Sequence, residues 1–326
     1  MQAIPPWGHA AIILATFFAI AVGAKYVVDA AAAIAQRMGV SQLVIGLTVV
    51  AFGTSAPEFG VTLVAAFEGR DSISVGNIVG SNIFNLGFIL GGAALFRAIP
   101  TDRILVWRDS TTLIGATALL FLFTAFDLYL GVLDGALLFA ALGAYLTVVW
   151  KARKDGFEPT DPDDEMEEVE ELPGGNSRLT EPLFLLVGFC LVGLASHFLI
   201  ESASQLALHF GVSEWVIAVT VVAAGTSVPE LATVLAGVAR GHMALSAGNV
   251  IGSDIFNVLG VLGLAGMIQP MALAPEARMS LLALSGMVLV VALTMRTGWR
   301  VSRFEGAVLL VLALIRWVMD FASRSG

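Results

Sequence analysis

Glu58 and Glu230 are the two side chains of this 326-residue chain whose charge is most out of place. Each lies inside an apolar run long enough to cross a bilayer, GLTVVAFGTSAPEFG from Gly46 to Gly60 and AVTVVAAGTSVPELA from Ala218 to Ala232. A carboxylate at that depth is costly, so such residues face a protein interior, find partners and mark ion paths. The partners are close in sequence: Thr54 and Ser55 precede Glu58, and Thr226 and Ser227 precede Glu230. Gly53 and Pro57 interrupt the first helix, and Gly225 and Pro229 the second. Proline lacks an N–H and crowds the carbonyl one turn back, which frees backbone oxygens. Irregular backbone is tolerated at this depth only where it is buried in protein or lines a wet cavity. Carboxylates, hydroxyls and freed carbonyls gathered in this way bind hard cations.

The repetition is not confined to the glutamates. At an offset of 172 residues, GNIVGSNIFN ending at Asn85 recurs as GNVIGSDIFN ending at Asn257, and roughly half the positions of 42–93 match 214–265. The offset also matches Lys25 with His197 and Asp29 with Glu201, so the repeat includes the preceding helix; Lys25 and Asp29 are spaced to pair along one helix face, and His197 and Glu201 to pair likewise at the equivalent positions. Helical spacing puts Ala51, Ser55 and Glu58 on one face and Ser81 and Asn85 on one face of the next helix. A short turn around Gly69, Arg70 and Asp71 would let Glu58 and Asn85 meet near mid-depth. Ala223, Ser227, Glu230, Ser253 and Asn257 are the corresponding set. Asp254 stands where the first copy has Asn82; on a regular helix it points about 100° away from Ser253, toward a neighbouring helix.

Elements that can position these residues follow from hydropathy. The chain is 57% hydrophobic and 13% charged, with a mean hydropathy of +0.87, the composition of a polytopic membrane protein. At about 20 apolar residues per crossing, spans fall near 9–36, 42–67, 73–96, 105–126 and 129–150. A second set falls near 182–208, 214–239, 244–268, 279–296 and 304–322. The expected fold is all-α, with ten transmembrane helices in two five-helix repeats, residues 1–150 and 182–326. Between them, residues 151–181 carry the acidic tract DPDDEMEEVEE, whose like charges repel and stay solvated. That tract accounts for much of the net charge of −9, so the acidity makes no case for nucleic-acid binding.

Basic residues fall mostly at one set of span ends, including Arg37, Arg97, Arg103, Arg108, Lys151, Arg240, Arg296 and Arg303. The positive-inside rule makes those ends and the linker cytoplasmic and puts both termini outside a cell membrane. With five spans per unit, the second unit enters from the opposite side, giving an inverted repeat. The single cysteine, Cys190, excludes an intrachain disulfide and reads as a small packed hydrophobe.

The repeated motifs contain no histidine or cysteine, which argues against zinc or copper and leaves hard cations. Two carboxylates balance one Ca²⁺, two Na⁺ or two protons, the arithmetic of an exchanger whose site cannot hold both loads together. The paired GTSxPE and GNxxGSxxFN motifs resemble the alpha repeats of the sodium/calcium exchanger branch of the calcium/cation antiporter superfamily, prokaryotic type. The resemblance covers essentially the whole membrane portion. It implies ions bound midway between the second, third, seventh and eighth helices, with the first and sixth sliding over that core. It implies Ca²⁺ ligation by Glu58, Glu230 and the Thr54 and Thr226 carbonyls, and Na⁺ sites that recruit Ala51, Ser55, Ser81, Ala223, Ser227 and Ser253. Two features depart from the pattern: family members often carry an aspartate at one of the positions filled here by Asn85 and Asn257, and large calcium-sensing domains are missing from the linker.

On these residues the chain is a transporter and no enzyme, with Ca²⁺ and Na⁺ as transported partners, no cofactor, and an oligomeric state left open and compatible with a monomer. Three rivals stay open: a proton/calcium or potassium-dependent exchanger of the same fold, a cation channel, and an intramembrane serine hydrolase at Ser55 or Ser227. The hydrolase lacks a histidine or lysine base in either motif. Flux that follows a pH gradient without sodium marks the proton exchanger, and flux without a counter-ion marks the channel.

Overall fold

The computed structural model describes residues 4–37, 55–101, 103–154, 180–240 and 243–322. The first part of the chain forms α1 (Pro6–Arg37), α2 (Ala56–Phe67), α3 (Asp71–Phe96), α4 (Leu105–Thr124) and α5 (Val132–Lys154). The second forms α6 (Thr180–Phe210), α7 (Glu214–Thr226), α8 (Val228–Arg240), α9 (residues 243–268), α10 (Ala277–Arg296) and α11 (Arg303–Ala322). Four two-residue strands join them: β1 (Ile99–Pro100), β2 (Tyr129–Leu130), β3 (Met271–Ala272) and β4 (Arg300–Val301). Seven helices among the described residues are long and apolar enough to cross a membrane, and α7 with α8, bent by 43°, makes an eighth. The ten-span expectation exceeds this count at two places. Only 12 residues of the second span are described, as α2, and α11 has 20 residues but carries Arg303, Glu305, Arg316 and Asp320. Most of the acidic linker lies outside the described residues.

The broken helix has the cause expected from sequence. Pro229 cannot donate to the carbonyl of Gly225, so the α7–α8 ladder is interrupted there and bends. Ser55 precedes α2 in the same way, with Pro57 in its first turn. α2 ends in a glycine cap: Gly69 takes φ +68°, and the Gly69 and Arg70 amides bond the Ala66 and Ala65 carbonyls. This tight turn delivers the chain directly into α3.

α3 and α9 form the centre of the molecule, with 78% and 72% of their apolar windows buried, against 17% for α5 and 33% for α1 and α6. Each contains a wide π-helical stretch, Asn85–Leu90 in α3 and Phe256–Leu262 in α9, at places related by the sequence offset. The peripheral contacts repeat to within one residue of the same offset. Gly91 of α3 faces Gly306 of α11, and Gly263 of α9 faces Gly135 of α5. β1 pairs antiparallel with β4, and β2 with β3, so each ribbon ties a segment before the linker to one after it. Beyond each ribbon, Thr101 donates to the Trp299 carbonyl at 2.9 Å and Leu273 to the Leu128 carbonyl at 2.7 Å.

α1 and α6 pack along each other outside this centre, with Tyr26 edge-on to Phe184 at 5.2 Å. Lys25 and Asp29 pair along α1 at 3.5 Å as their spacing suggests. Their counterparts do not pair with each other: His197 contacts Glu68 at the end of α2, and Glu201 contacts Arg70 at 3.7 Å. Arg70 also bonds Glu214 at 2.7 Å, so one end of α6 is tied to the centre by exposed ion pairs. Cys190 is exposed on α6 and is not a packed core residue.

The closest backbone approach in the centre is at Gly80. A Cβ there would stand 2.5 Å from the Val219 Cα and 2.6 Å from its carbonyl oxygen. Nothing lies within 4 Å of a Cβ at Gly92, about three turns farther along α3. Gly80→Ala is therefore expected to destabilise the folded protein by about 1–3 kcal/mol through overpacking. Gly92→Ala should leave the detergent unfolding temperature unchanged or slightly higher, and equal behaviour of the two variants would refute the packing assignment.

Candidate ion-binding site

Ser55, at the start of α2, and the break at Ser227 turn the two glutamates toward the same core, and each is completely buried. Their hydroxyl partners are crossed between the repeats. Ser227 donates to Glu58 Oε1 at 2.9 Å, and Ser55 donates to Glu230 Oε1 at 3.4 Å. Ser81 of α3 lies 3.4 Å from Glu58 Oε1, 3.4 Å from the Thr226 hydroxyl and 3.5 Å from the Ala223 carbonyl oxygen. The crossed bonds hold the two carboxylates in one polar cluster, since each binds the serine three residues before the other. No lysine, arginine or histidine pairs with either among the described residues.

Of the twelve residues singled out from sequence, Ala51 and Thr54 lie outside the described residues. Ser55, Glu58, Ser81, Asn85, Ala223, Thr226, Ser227, Glu230, Ser253 and Asn257 are all buried. The structure separates them into two adjoining groups. Glu58, Glu230, Ser55, Ser81, Thr226 and Ser227 form the first. The asparagines form the second, one turn farther along α3 and α9. The expected Glu58–Asn85 meeting does not occur: Asn85 opens the π-helical stretch and donates instead to Asp254 Oδ1 at 2.9 Å. Asn257 makes the equivalent bond to Asn82 Oδ1 at 3.1 Å, and the Asn82 amide bonds the Asp254 carbonyl at 3.0 Å.

Three buried residues had no assigned role in the sequence reading. Asp254 was expected to face a neighbouring helix; it does meet α3, but within the polar core. Asn82 is its counterpart. Asn77 donates to Thr62 at 3.0 Å, lies 3.4 Å from the Glu58 carbonyl oxygen and accepts from Thr226 at 3.1 Å. The signal for all three was present in GNIVGSNIFN and GNVIGSDIFN, but helical spacing alone does not tell a ligand from a residue that braces one.

Five buried oxygens here have no hydrogen-bond donor among the described residues: Glu58 Oε2, Glu230 Oε2, Asp254 Oδ2, Asn85 Oδ1 and Asn257 Oδ1. An unpaired buried polar atom costs about 1–3 kcal/mol, and clustering of such atoms, all of them acceptors, suits a cation better than any other group. Among the described residues no three acidic, histidine or cysteine side chains converge closely enough to hold one metal ion together. Any single ion must therefore take most of its ligands from hydroxyl, amide and backbone oxygens.

A family description, sodium/calcium exchanger protein, matches residues 8–151 and 180–319. CaxA of Alkalimonas amylolytica is 36% identical over 289 residues, covering 86% of this chain and 88% of CaxA. The sodium/calcium exchanger MaX1 of Methanosarcina acetivorans is 31% identical over 337 residues, covering 92% of this chain and 94% of MaX1. Among solved structures, the sodium-calcium exchanger NCX_Mj soaked with Na⁺ and Sr²⁺ matches with a TM-score of 0.60 and 27% identity, over 94% of this chain and 96% of that one.

Asn77→Leu keeps the approximate side-chain volume but strands the Thr62 and Thr226 hydroxyls. The variant is expected to lose about 1–3 kcal/mol of stability, read as a lower unfolding temperature in detergent. An unchanged temperature would mean that Asn77 does not brace the site.

Proposed function

This chain belongs to the sodium/calcium exchanger family, and from that premise we propose that it exchanges Na⁺ for Ca²⁺ across the membrane by alternating access. Cation antiport with calcium as a substrate, by a multi-pass membrane transporter, is what the family does. Sodium as the counter-ion, the ligand assignments and the transport cycle are our reading. Its main support is the crossed arrangement in which Ser227 bonds Glu58 and Ser55 bonds Glu230, leaving one oxygen of each carboxylate without a donor among the described residues.

In this reading Ca²⁺ is held by Glu58 and Glu230 together with the Thr54 and Thr226 carbonyls. Calcium accepts several oxygens at flexible geometry, whereas magnesium insists on a tight octahedron and keeps its waters. Sodium uses the same carboxylates with oxygens of Ala51, Ser55, Ser81, Ala223, Ser227 and Ser253, and the amides of Asn85 and Asn257 border the site. Two loads that need the same glutamates exclude one another, which couples their movement. With no ion present, two unpaired carboxylates in a dry core repel and hold water, so the empty protein resists occlusion. Only a charge-compensated site lets the centre close and reopen on the other side.

The moving part is α1 with α6, which pack on each other and meet the centre over a limited face. Exposed ion pairs of Arg70 and His197 fix their position in the conformation described. Ten spans in two inverted repeats, residues 1–150 and 182–326, complete the proposal, with both termini outside and the acidic linker cytoplasmic. The exchanged pairing of β1 with β4 and β2 with β3 supports this two-fold plan. The chain needs no cofactor in this cycle.

Purified protein in liposomes loaded with Na⁺ is expected to take up ⁴⁵Ca²⁺ when diluted into sodium-free medium. K⁺ and pH gradients imposed separately should not drive uptake. Glu58→Gln or Glu230→Gln should abolish it while the variant still elutes as a folded species. Near-normal uptake in either variant rejects the ligand assignment, and uptake driven by a pH gradient alone rejects sodium as the counter-ion.

A further inference from the structure

Asp254 contains an internal control for the purpose of its charge. Asn85 donates to Asp254 Oδ1, and in the other repeat Asn257 donates to Asn82 Oδ1, with nearly the same lengths of 2.9 and 3.1 Å. Positions 82 and 254 are equivalent in sequence, and Asn82 bonds the Asp254 carbonyl across the contact of α3 with α9. A neutral amide oxygen therefore does the packing work in one copy that a carboxylate oxygen does in the other. The added negative charge is not required by the fold, yet it sits at 0% exposure where a charge is most costly.

That charge has no basic partner among the described residues, and its second oxygen has no donor. Asn85, whose amide nitrogen makes the contact, and Asn257, three residues along α9, each carry a buried side-chain carbonyl oxygen likewise without a donor among the described residues. Asp254 does not join Glu58 and Glu230 in a cluster tight enough to hold one metal ion. It is linked to the glutamate pair through α3, where its partner Asn85 lies one turn beyond Ser81, which contacts Glu58 Oε1. One carboxylate with neutral amide oxygens matches one unit of positive charge.

We infer that Asp254, with the side-chain carbonyls of Asn85 and Asn257, forms a separate subsite for a sodium ion next to the Glu58–Glu230 pair. The inference rests on the exchange reading above for the identity of the ion and deepens it. Two carboxylates take one Ca²⁺ or two Na⁺; a third adds room for one more monovalent cation. The asymmetry between Asn82 and Asp254 makes the number of sodium ions bound a property of residue 254.

Equilibrium binding of ²²Na⁺ and of ⁴⁵Ca²⁺ to the purified full chain in detergent tests this without relying on transport. Wild type is expected to bind one more ²²Na⁺ per chain than Asp254→Asn, with ⁴⁵Ca²⁺ capacity equal in the two. The double variant Asn82→Asp/Asp254→Asn, which returns the carboxylate across the contact, should recover the missing ²²Na⁺. Asn82→Asp alone should gain one, which keeps the test available if Asp254→Asn does not fold. Equal ²²Na⁺ counts in wild type and Asp254→Asn overturn the inference, as does an Asn82→Asp count equal to wild type. Loss of ⁴⁵Ca²⁺ capacity in folded Asp254→Asn also overturns it, because the carboxylate would then serve the divalent ion. Failure of sodium-driven calcium uptake by wild type, with the ²²Na⁺ difference intact, would sink the exchange reading and leave the subsite standing.

Discussion

Acidic side chains held out of water with no basic side chain beside them set the terms for the rest of this molecule. Glu58, Glu230 and Asp254 are fully buried, and their side-chain partners among the described residues are hydroxyl and amide donors. Such donors soften the loss of hydration but do not cancel charge, so compensation must come from outside the chain. A lysine in the same place would have made a stable core and a useless site. Serine, threonine and asparagine hold the oxygens in position without supplying a positive charge, which is the basis for proposing a cation there.

The backbone serves the same end. The start of α2 at Ser55, the break at Ser227 and the wide π-helical turns after Phe84 and Ile255 lie at the level of the polar groups, where a regular helix would consume every carbonyl. These irregular pieces survive because α3 and α9 are enclosed on all sides by other helices, and glycine contacts such as Gly80 on Val219 bring the backbones close. Around them the exchanged ribbons and the repeated Gly91–Gly306 and Gly135–Gly263 contacts tie each repeat to the other. Neither repeat can complete the core alone. The glutamate of each receives its hydroxyl from the other.

Much of this was legible beforehand. An offset of 172 residues, repeated GTSxPE and a glutamate inside each apolar run were enough to pair the half-sites and to name Ser55, Ser81 and Ser227 as their companions. Proline and glycine positions foretold the bend between α7 and α8. The pattern also suggested that Asn85 would meet Glu58 and that His197 would pair with Glu201, and on both points the structure differs. In the first case the π-helical start at Asn85 points the amide toward α9; in the second, Glu68 and Arg70 are nearer across the helix contact than the residue one turn away.

What the sequence by itself determined is which chemistry the core contains, because residue type and hydropathy set the cost of each buried group whatever the fold. It also determined that the chemistry occurs twice. What only the tertiary structure decided is who partners whom: the crossing of serines between repeats, the bracing by Asn77, and the meeting of Asp254 with Asn85. Those contacts join helices more than a hundred residues apart, and a spacing rule that follows one helix has no information about the neighbour it will face. The charge at position 254 is the clearest case, since its cost could be read from the sequence and its company could not.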